Sequence, residues 1–152
     1  MQEFNKLLRE KIYSIKSYNG YSIESHNYPA IGVECESGKV FEIFPVTRDI
    51  EPKLELFEIK VSEVSSFSEI SKWPNGPTFE WKNIEVLNGF AKGKNVEEIS
   101  VIFNDQGFLD GSPLAAKFGI VLFLTNGGCL EIRHSEKNPM SVDLSLVESH
   151  AT

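Results

Sequence analysis

The side chains best suited to nucleophilic or metal chemistry are few and widely separated in this 152-residue sequence. They are two cysteines and three histidines: Cys35, Cys129, His26, His134 and His150. Metal sites usually draw two ligands from one short motif, such as Cys-x-x-Cys or His-x-x-x-His. Neither spacing occurs here, so the sequence predicts no metal site.

A cysteine and a histidine can still act as nucleophile and base if the fold brings them together. Cys129 and His134 are five residues apart, and an odd separation in a β-strand points two side chains to opposite faces. Contact of Cys35 with His26 or His134 stays open, as does a disulfide between the two cysteines. We expect two free, buried thiols that act as small apolar residues.

Motifs for acyl transfer, nucleotide binding and calcium binding are also missing. The sequence contains neither the Gly-x-Ser-x-Gly nucleophile elbow nor the Gly-x-x-x-x-Gly-Lys-Ser/Thr phosphate loop. Residues 89–94 lack the spacing of that loop, and residues 104–111 lack the ligand order of a calcium-binding loop. No two acids are singled out by spacing for glycoside hydrolysis. We therefore expect a protein without a cofactor that is not an enzyme.

Acidic residues outnumber basic residues by 22 to 15, which gives a formal net charge of −7. This excess disfavours nucleic acid and anionic membranes as partners and permits a basic protein partner. The acids concentrate between residues 34 and 63, several of them on the outward parity of predicted strands. We expect an acidic sheet face, either solvated without a partner or binding one through Glu34, Glu36, Glu42, Glu51, Glu55, Glu58 and Glu63.

Two tryptophans, Trp73 and Trp81, flank a Pro-Asn-Gly-Pro turn. Exposed aromatic residues at such a place are typical of recognition surfaces, whereas tryptophans in general are mostly buried. Trp73 and Trp81 are therefore either additional partner-binding residues or part of the core.

The elements that must position these residues are organised around a hairpin at 118–134. An unbroken apolar run meets Asn126-Gly127-Gly128, and Asn-Gly is a strong hairpin signal. The first arm, which contains this run, reads as a strand buried on both faces. In the second arm, Leu130, Ile132 and His134 share one face, with Cys129, Glu131 and Arg133 on the other. We expect this hairpin at the centre of a sheet.

The other elements follow from periodicity and turn residues. Residues 3–16 read as an amphipathic helix, because Phe4, Leu7, Leu8, Ile12 and Ile15 recur at three- and four-residue spacings. We predict strands at 31–36, 39–44, 54–64, 79–87, 96–103 and 140–147, with a β-bulge at 56–57. Loops or short turns are predicted at 47–53, 62–71, 73–77, 88–95 and 104–113, and a turn of helix at 114–117.

These predictions combine into one fold class. The chain is expected to be a single α+β domain over 1–152, mainly antiparallel, in which the N-terminal helix packs on a twisted sheet or partly open barrel of six to nine strands. No secretory signal is evident, and the longest apolar run, 120–124, is too short to cross a bilayer. We expect a cytoplasmic location and no membrane association.

In size, in acidity and in the lack of a catalytic motif, the chain resembles the immunity proteins with which bacteria neutralise polymorphic or contact-dependent toxins. The resemblance implies a non-catalytic protein that inhibits a basic toxin domain. No motif carries it, so no residue role is transferred. Two other hypotheses stay open: a small-ligand or carbohydrate-binding β domain that uses Trp73 and Trp81, and an enzyme whose site combines scattered acids with His26 or His134.

Overall fold

The computed structural model describes residues 2–18, 27–51, 54–67, 70–71, 78–109, 112–125, 127–135 and 141–147, and these are almost entirely antiparallel β-structure. Two short helices, α1 and α2, accompany twelve strands. The elements in chain order are α1 Gln2–Asn5, β1 Ile12–Tyr18, β2 Asn27–Tyr28, β3 Ile31–Cys35, β4 Val40–Glu51, β5 Leu54–Val64, β6 Ile70–Ser71, β7 Thr78–Phe79, β8 Trp81–Asn83, α2 Glu85–Ala91, β9 Val96–Leu109, β10 Ser112–Leu124, β11 Cys129–His134 and β12 Val142–Val147.

The strands form two five-stranded sheets and a two-stranded ribbon. The first sheet has the order β5-β4-β3-β1-β8, the second sheet has the order β2-β12-β11-β10-β9, and β6 pairs with β7. The predicted mainly antiparallel β class is confirmed, whereas the single sheet or barrel of six to nine strands is wrong. The inner faces of both sheets contribute to one apolar core, as they do where two sheets pack face to face.

The hairpin around Asn-Gly-Gly is confirmed and lies at the centre of the second sheet. Gly127 and Gly128 both have φ of 84°, which residues with a side chain rarely adopt. Leu130, Ile132 and His134 are each 1% exposed, as the alternation predicts. These residues face the core together with Ile120 and Leu122 from β10, which accounts for one parity of the apolar run in the first arm.

The predicted N-terminal helix at 3–16 is wrong. Helix α1 ends at Asn5, Arg9 turns the chain with φ of 67°, and β1 begins at Ile12. Ile12 and Ile15 are both buried although an odd separation in a strand should oppose them. The register between β1 and β3 shifts around Tyr13, and this bulge brings both side chains inward. A bulged strand thus produced the three-residue spacing that resembled a helix.

Helix α2 replaces the predicted end of a strand and the start of a predicted loop. The strand predicted at 79–87 ends at Asn83, and α2 covers the first residues of the 88–95 segment. Leu87 and Ala91, four residues apart on the helix, are fully buried. Their burial offsets the cost of Gly89 in the helix, which is about 1 kcal/mol relative to alanine.

Long strands replace three further predicted irregular segments. Strand β9 continues through the predicted loop to Leu109, and β10 contains the residues predicted as a turn of helix. Strand β4 continues past Pro45 to Glu51, beyond the last residue that pairs with β3, Ile43. Proline is tolerated there because one edge of β4 is no longer paired. The predicted hairpin at 31–44 and the strand at 54–64 are confirmed, but the β-bulge lies between Asp49 and Glu51 of β4.

Candidate functional site

The predicted acidic residues do not share one surface. Glu34 lies on the outer side of the first sheet, where its Oε1 atom accepts a hydrogen bond from Ser14 at 2.8 Å and contacts Lys16 Nζ at 2.6 Å. Partial burial would raise the pKa of Glu34, but the hydrogen bonds from Lys16 and Ser14 and the charge of Lys16 outweigh it and lower the pKa. Glu34 therefore stays ionised, with its charge largely neutralised by Lys16.

Two of the acids are buried. Glu42 is 7% exposed and Glu58 is 9% exposed. Glu58 joins the two sheets, because Arg48 Nε donates to its Oε1 and the backbone nitrogen of Lys117 donates to its Oε2, both at 2.8 Å. The carboxylate of Glu58 satisfies a backbone donor beside the β-bulge of β10, which is a structural role.

The remaining acids are scattered. Glu36 is exposed and forms an ion pair with Lys11 at 3.7 Å. Glu55 and Glu63 are exposed, but they are eight residues apart on β5, which is roughly 27 Å in an extended strand. The side chain of Glu51 lies outside the described residues. The described acids of the segment 34–63 thus form no continuous face.

The two tryptophans also differ in what the structure shows. Trp73 lies outside the described residues. Trp81 is half-buried, and its ring stacks on Phe67 with centroids 4.6 Å apart. Both rings cover Gly32, since a Cβ atom there would lie 2.4 Å from the Phe67 ring and 3.0 Å from Trp81. One face of the Trp81 ring is therefore occupied by packing within the protein.

The cysteines and His134 form no nucleophilic pair. Cys35 and Cys129 are free thiols, and burial together with the nearby charge of Glu10 raises the pKa of Cys35 to about 12. Burial and Glu131 raise the pKa of Cys129 as well. Cys129 is partly exposed on the outer side of β11 and His134 is buried on the inner side. Among the described residues, no three histidine, cysteine, aspartate or glutamate side chains converge as a metal site.

His134 is instead packed between aromatic rings at the sheet–sheet contact. Its ring lies 5.1 Å from that of Phe57 and 6.4 Å from that of Phe118. Its Nδ1 atom lies 2.9 Å from the carbonyl oxygen of Ser135, and its Nε2 atom is buried without a hydrogen-bond partner in the described part of the chain. Burial lowers the pKa of His134, although the Ser135 carbonyl and Asp143 act in the opposite direction.

The second sheet presents a solvent-facing surface that the sequence analysis did not identify. We call it the outer face: three rows of residues in register across strands β9 to β12. The rows are Glu98-Phe123-Cys129-Val147, Ser100-Val121-Glu131-Ser145 and Ile102-Gly119-Arg133-Asp143. Phe123 is 38% exposed and Val147 is 40% exposed. Within the first row, Phe123, Cys129 and Val147 thus form an apolar strip that is partly open to solvent, with Glu98 beside Phe123.

The charges of the outer face are mostly negative. It carries the acids Glu98, Glu131 and Asp143 and one base, Arg133, which forms an ion pair with Glu131. A signal for this face was present in the sequence, because the run 120–124 is apolar on both parities. We assigned both parities to the core, whereas the outward one, which includes Phe123, is partly exposed.

A concave feature, the α2 cleft, lies between α2 and the first sheet. It has a volume of about 480 Å³ and is lined by Tyr13, Ser14 and Lys16 of β1, by Glu34 of β3, and by Asn83, Glu85 and Lys92 beside and within α2. The sequence analysis missed this cleft because it placed Asn88 and its neighbours in a loop.

Asn88 fixes the position of α2 against β1. Its Oδ1 atom accepts the backbone N–H of Ile15 at 2.7 Å, and its Nδ2 atom donates to the carbonyl oxygens of Ile15 at 3.0 Å and Ile84 at 3.1 Å. The amide side chain thus pairs with the edge of β1 as a peptide group of a neighbouring strand would. The walls of the cleft are held at a defined separation.

Comparison with protein-family models, curated proteins and solved structures finds no match. Neither α1 nor α2, nor any other described segment, is a helix of the length and apolar character needed to cross a membrane.

Proposed function

We propose that this protein is a non-catalytic binding protein that docks a basic partner protein on the outer face of the second sheet. The observation that carries the proposal is the apolar strip of Phe123, Cys129 and Val147, in which Phe123 and Val147 are exposed and which has acids around it. Protein interfaces typically combine a central apolar or aromatic anchor with a polar rim.

Charge complementarity selects the class of partner. The outer face has three acids and one base, and the whole chain has a net charge of −7. Such a face accelerates encounter with a positively charged protein and slows encounter with a second copy of this chain. We propose further that the partner is a basic toxin domain that this protein neutralises, in a cytoplasmic setting. This proposal agrees with the resemblance of the chain to immunity proteins in size and acidity.

The proposal moves the binding surface away from the acids of 34–63. Glu42 and Glu58 are buried, and Glu34 and Glu36 are paired with lysines. A carbohydrate-binding surface built on Trp73 and Trp81 has less support, because Phe67 already covers one face of Trp81.

Two aromatic residues on the second sheet provide a matched test. Phe123 is on the outer face, whereas Phe103, which is 56% exposed, has the opposite parity to Ile102 of that face. The wild-type protein is immobilised, a lysate of the source cells is passed over it, and each captured protein is purified. Binding of that protein to Phe123→Lys and Phe103→Lys is then measured by titration calorimetry.

The outer-face proposal expects a basic protein whose affinity falls at least about tenfold for Phe123→Lys and is unchanged for Phe103→Lys. Equal affinity for the two variants would exclude the outer face. The toxin proposal expects that the captured protein stops growth when it is produced alone and that co-production of wild-type chain, but not of Phe123→Lys, restores growth. A captured partner that has no effect on growth would refute neutralisation.

A further inference from the structure

Two opposite charges of the α2 cleft have no ion-pair partner in the part of the chain that the structure describes. Lys16 and Glu34 at its base pair with each other at 2.6 Å. Among the described residues, Glu85 has no ion pair, and Lys92 has no carboxylate partner but places its Nζ atom 5.0 Å from the centroid of the Tyr13 ring. The cleft therefore has one available negative group and one available positive group.

These two groups project from the same side of α2. Glu85 is the first residue of the helix and Lys92 directly follows its last residue, so they are seven residues apart. Seven residues correspond to about two helical turns, or roughly 10 Å along the axis. Asn88 and Gly89 lie between them on the cleft wall, and a Cβ atom at Gly89 would have no neighbour within 4 Å. The cleft wall at Gly89, between the two charged residues, therefore has open space above it.

The charge arrangement discriminates between classes of ligand. An anion would contact Lys92 but be repelled by Glu85. A cation would contact Glu85 but be repelled by Lys92. A neutral sugar would leave both charges without a partner. A molecule with a cationic end and an anionic end satisfies both, with its ammonium group at Glu85 and its carboxylate at Lys92.

We propose that the α2 cleft binds a short peptide with free amino and carboxyl termini. An extended peptide advances about 3.3–3.6 Å per residue, so about three residues match the roughly 10 Å of helix axis that separates Glu85 from Lys92. The volume of about 480 Å³ accommodates a ligand of this size. This site is distinct from the outer face and does not depend on it.

The experiment uses triglycine as the probe, followed by nuclear magnetic resonance of the full chain. Triglycine should shift the backbone resonances of Tyr13, Ser14 and Gly89, which border the cleft. N-acetyl-triglycine and triglycine amide, each of which lacks one terminal charge, should bind roughly threefold to fivefold more weakly, as expected for the loss of one solvent-accessible ion pair.

Charge reversal gives a sharper test. Glu85→Lys and Lys92→Glu, made singly, should each weaken triglycine binding by at least the same factor. The double variant Glu85→Lys/Lys92→Glu should restore it, because the peptide can bind in the opposite direction. Glu36→Lys, on a different part of the first sheet, should have no effect.

Several outcomes would overturn the proposal. One is that triglycine and its two capped forms bind equally well. Another is that the double reversal does not restore binding although the variant has a wild-type spectrum elsewhere. A third is that triglycine causes no shift of resonances at the cleft. Preferential shifts with neutral sugars would assign the cleft to a different ligand class and would equally refute the peptide.

Discussion

Replacing Glu58 by alanine tests whether this acid holds the two sheets together. Its carboxylate accepts the backbone N–H of Lys117 and the Nε–H of Arg48, each at 2.8 Å. Removing it leaves the Lys117 donor unsatisfied beside a β-bulge and the guanidinium without its partner. If the acid were instead a surface contact for a partner, its removal would change binding but hardly change stability.

The magnitude follows from the environment of each bond. A hydrogen bond between a carboxylate and a largely buried backbone donor contributes about 1.5–3 kcal/mol. The Arg48 bond contributes less, about 0.2–1 kcal/mol, because 53% of the Arg48 side chain is exposed. Glu58→Ala should therefore lower the free energy of unfolding by roughly 2–4 kcal/mol, and Arg48→Ala by less than about 1 kcal/mol.

The assay is urea unfolding followed by circular dichroism. A loss of about 3 kcal/mol lowers the midpoint by roughly 1–3 M at the usual dependence on urea for small proteins. Glu55→Ala, on an exposed position of the same strand, is the control and should change stability by no more than about 0.5 kcal/mol. If Glu58→Ala were as stable as Glu55→Ala, the inter-sheet role of Glu58 would be refuted.

Two further predictions concern His134 and Asn88. Burial lowers the pKa of His134 in the folded protein, so below the ordinary histidine pKa of 6.5 this residue binds more protons in the unfolded chain than in the folded one. The free energy of unfolding should therefore fall as the pH decreases from there, by at most about 1.4 kcal/mol per pH unit. The His134→Phe variant should lack the His134-dependent decrease in the free energy of unfolding between about pH 7.5 and about pH 5.5. An unchanged pH dependence of the urea midpoint in this variant would contradict the assignment to His134. Asn88→Ala should cost about 1–3 kcal/mol and increase amide exchange at Ile15, whose N–H it accepts, whereas unchanged exchange would show that Asn88 does not fix α2.

Local sequence patterns were sufficient to predict the structure where a turn and the two strands that it joins are adjacent in the sequence. The hairpin at 31–44 closes through Gly38, whose φ of 95° explains why glycine occupies that turn. The strand predicted at 140–147 is confirmed as β12, and its alternation places Val142 and Leu144 in the core. In these segments the residues that decide the structure are close neighbours in the chain, so the sequence displays the pattern directly.

Local patterns failed where a distant strand or a bulge decides the outcome. Ile12 and Ile15 have a helical spacing, but they belong to a strand because β3 and β8 pair with β1 on both sides. The alternation of residues along β5 predicts Glu58 as a surface acid. Only its contacts with Arg48 and with the neighbouring sheet show that it is buried.

The amino-acid sequence by itself determined the antiparallel β class, the central hairpin and its buried face, and the separation of Cys129 from His134. Turn geometry and the two-residue period of a strand act between near neighbours, and they are therefore visible in the sequence. The tertiary structure alone decided the division into two sheets, the burial of Glu42 and Glu58, the exposure of Phe123 on the outer face and the existence of the α2 cleft. Each of these depends on which surfaces distant segments cover, and burial of that kind has no local signature.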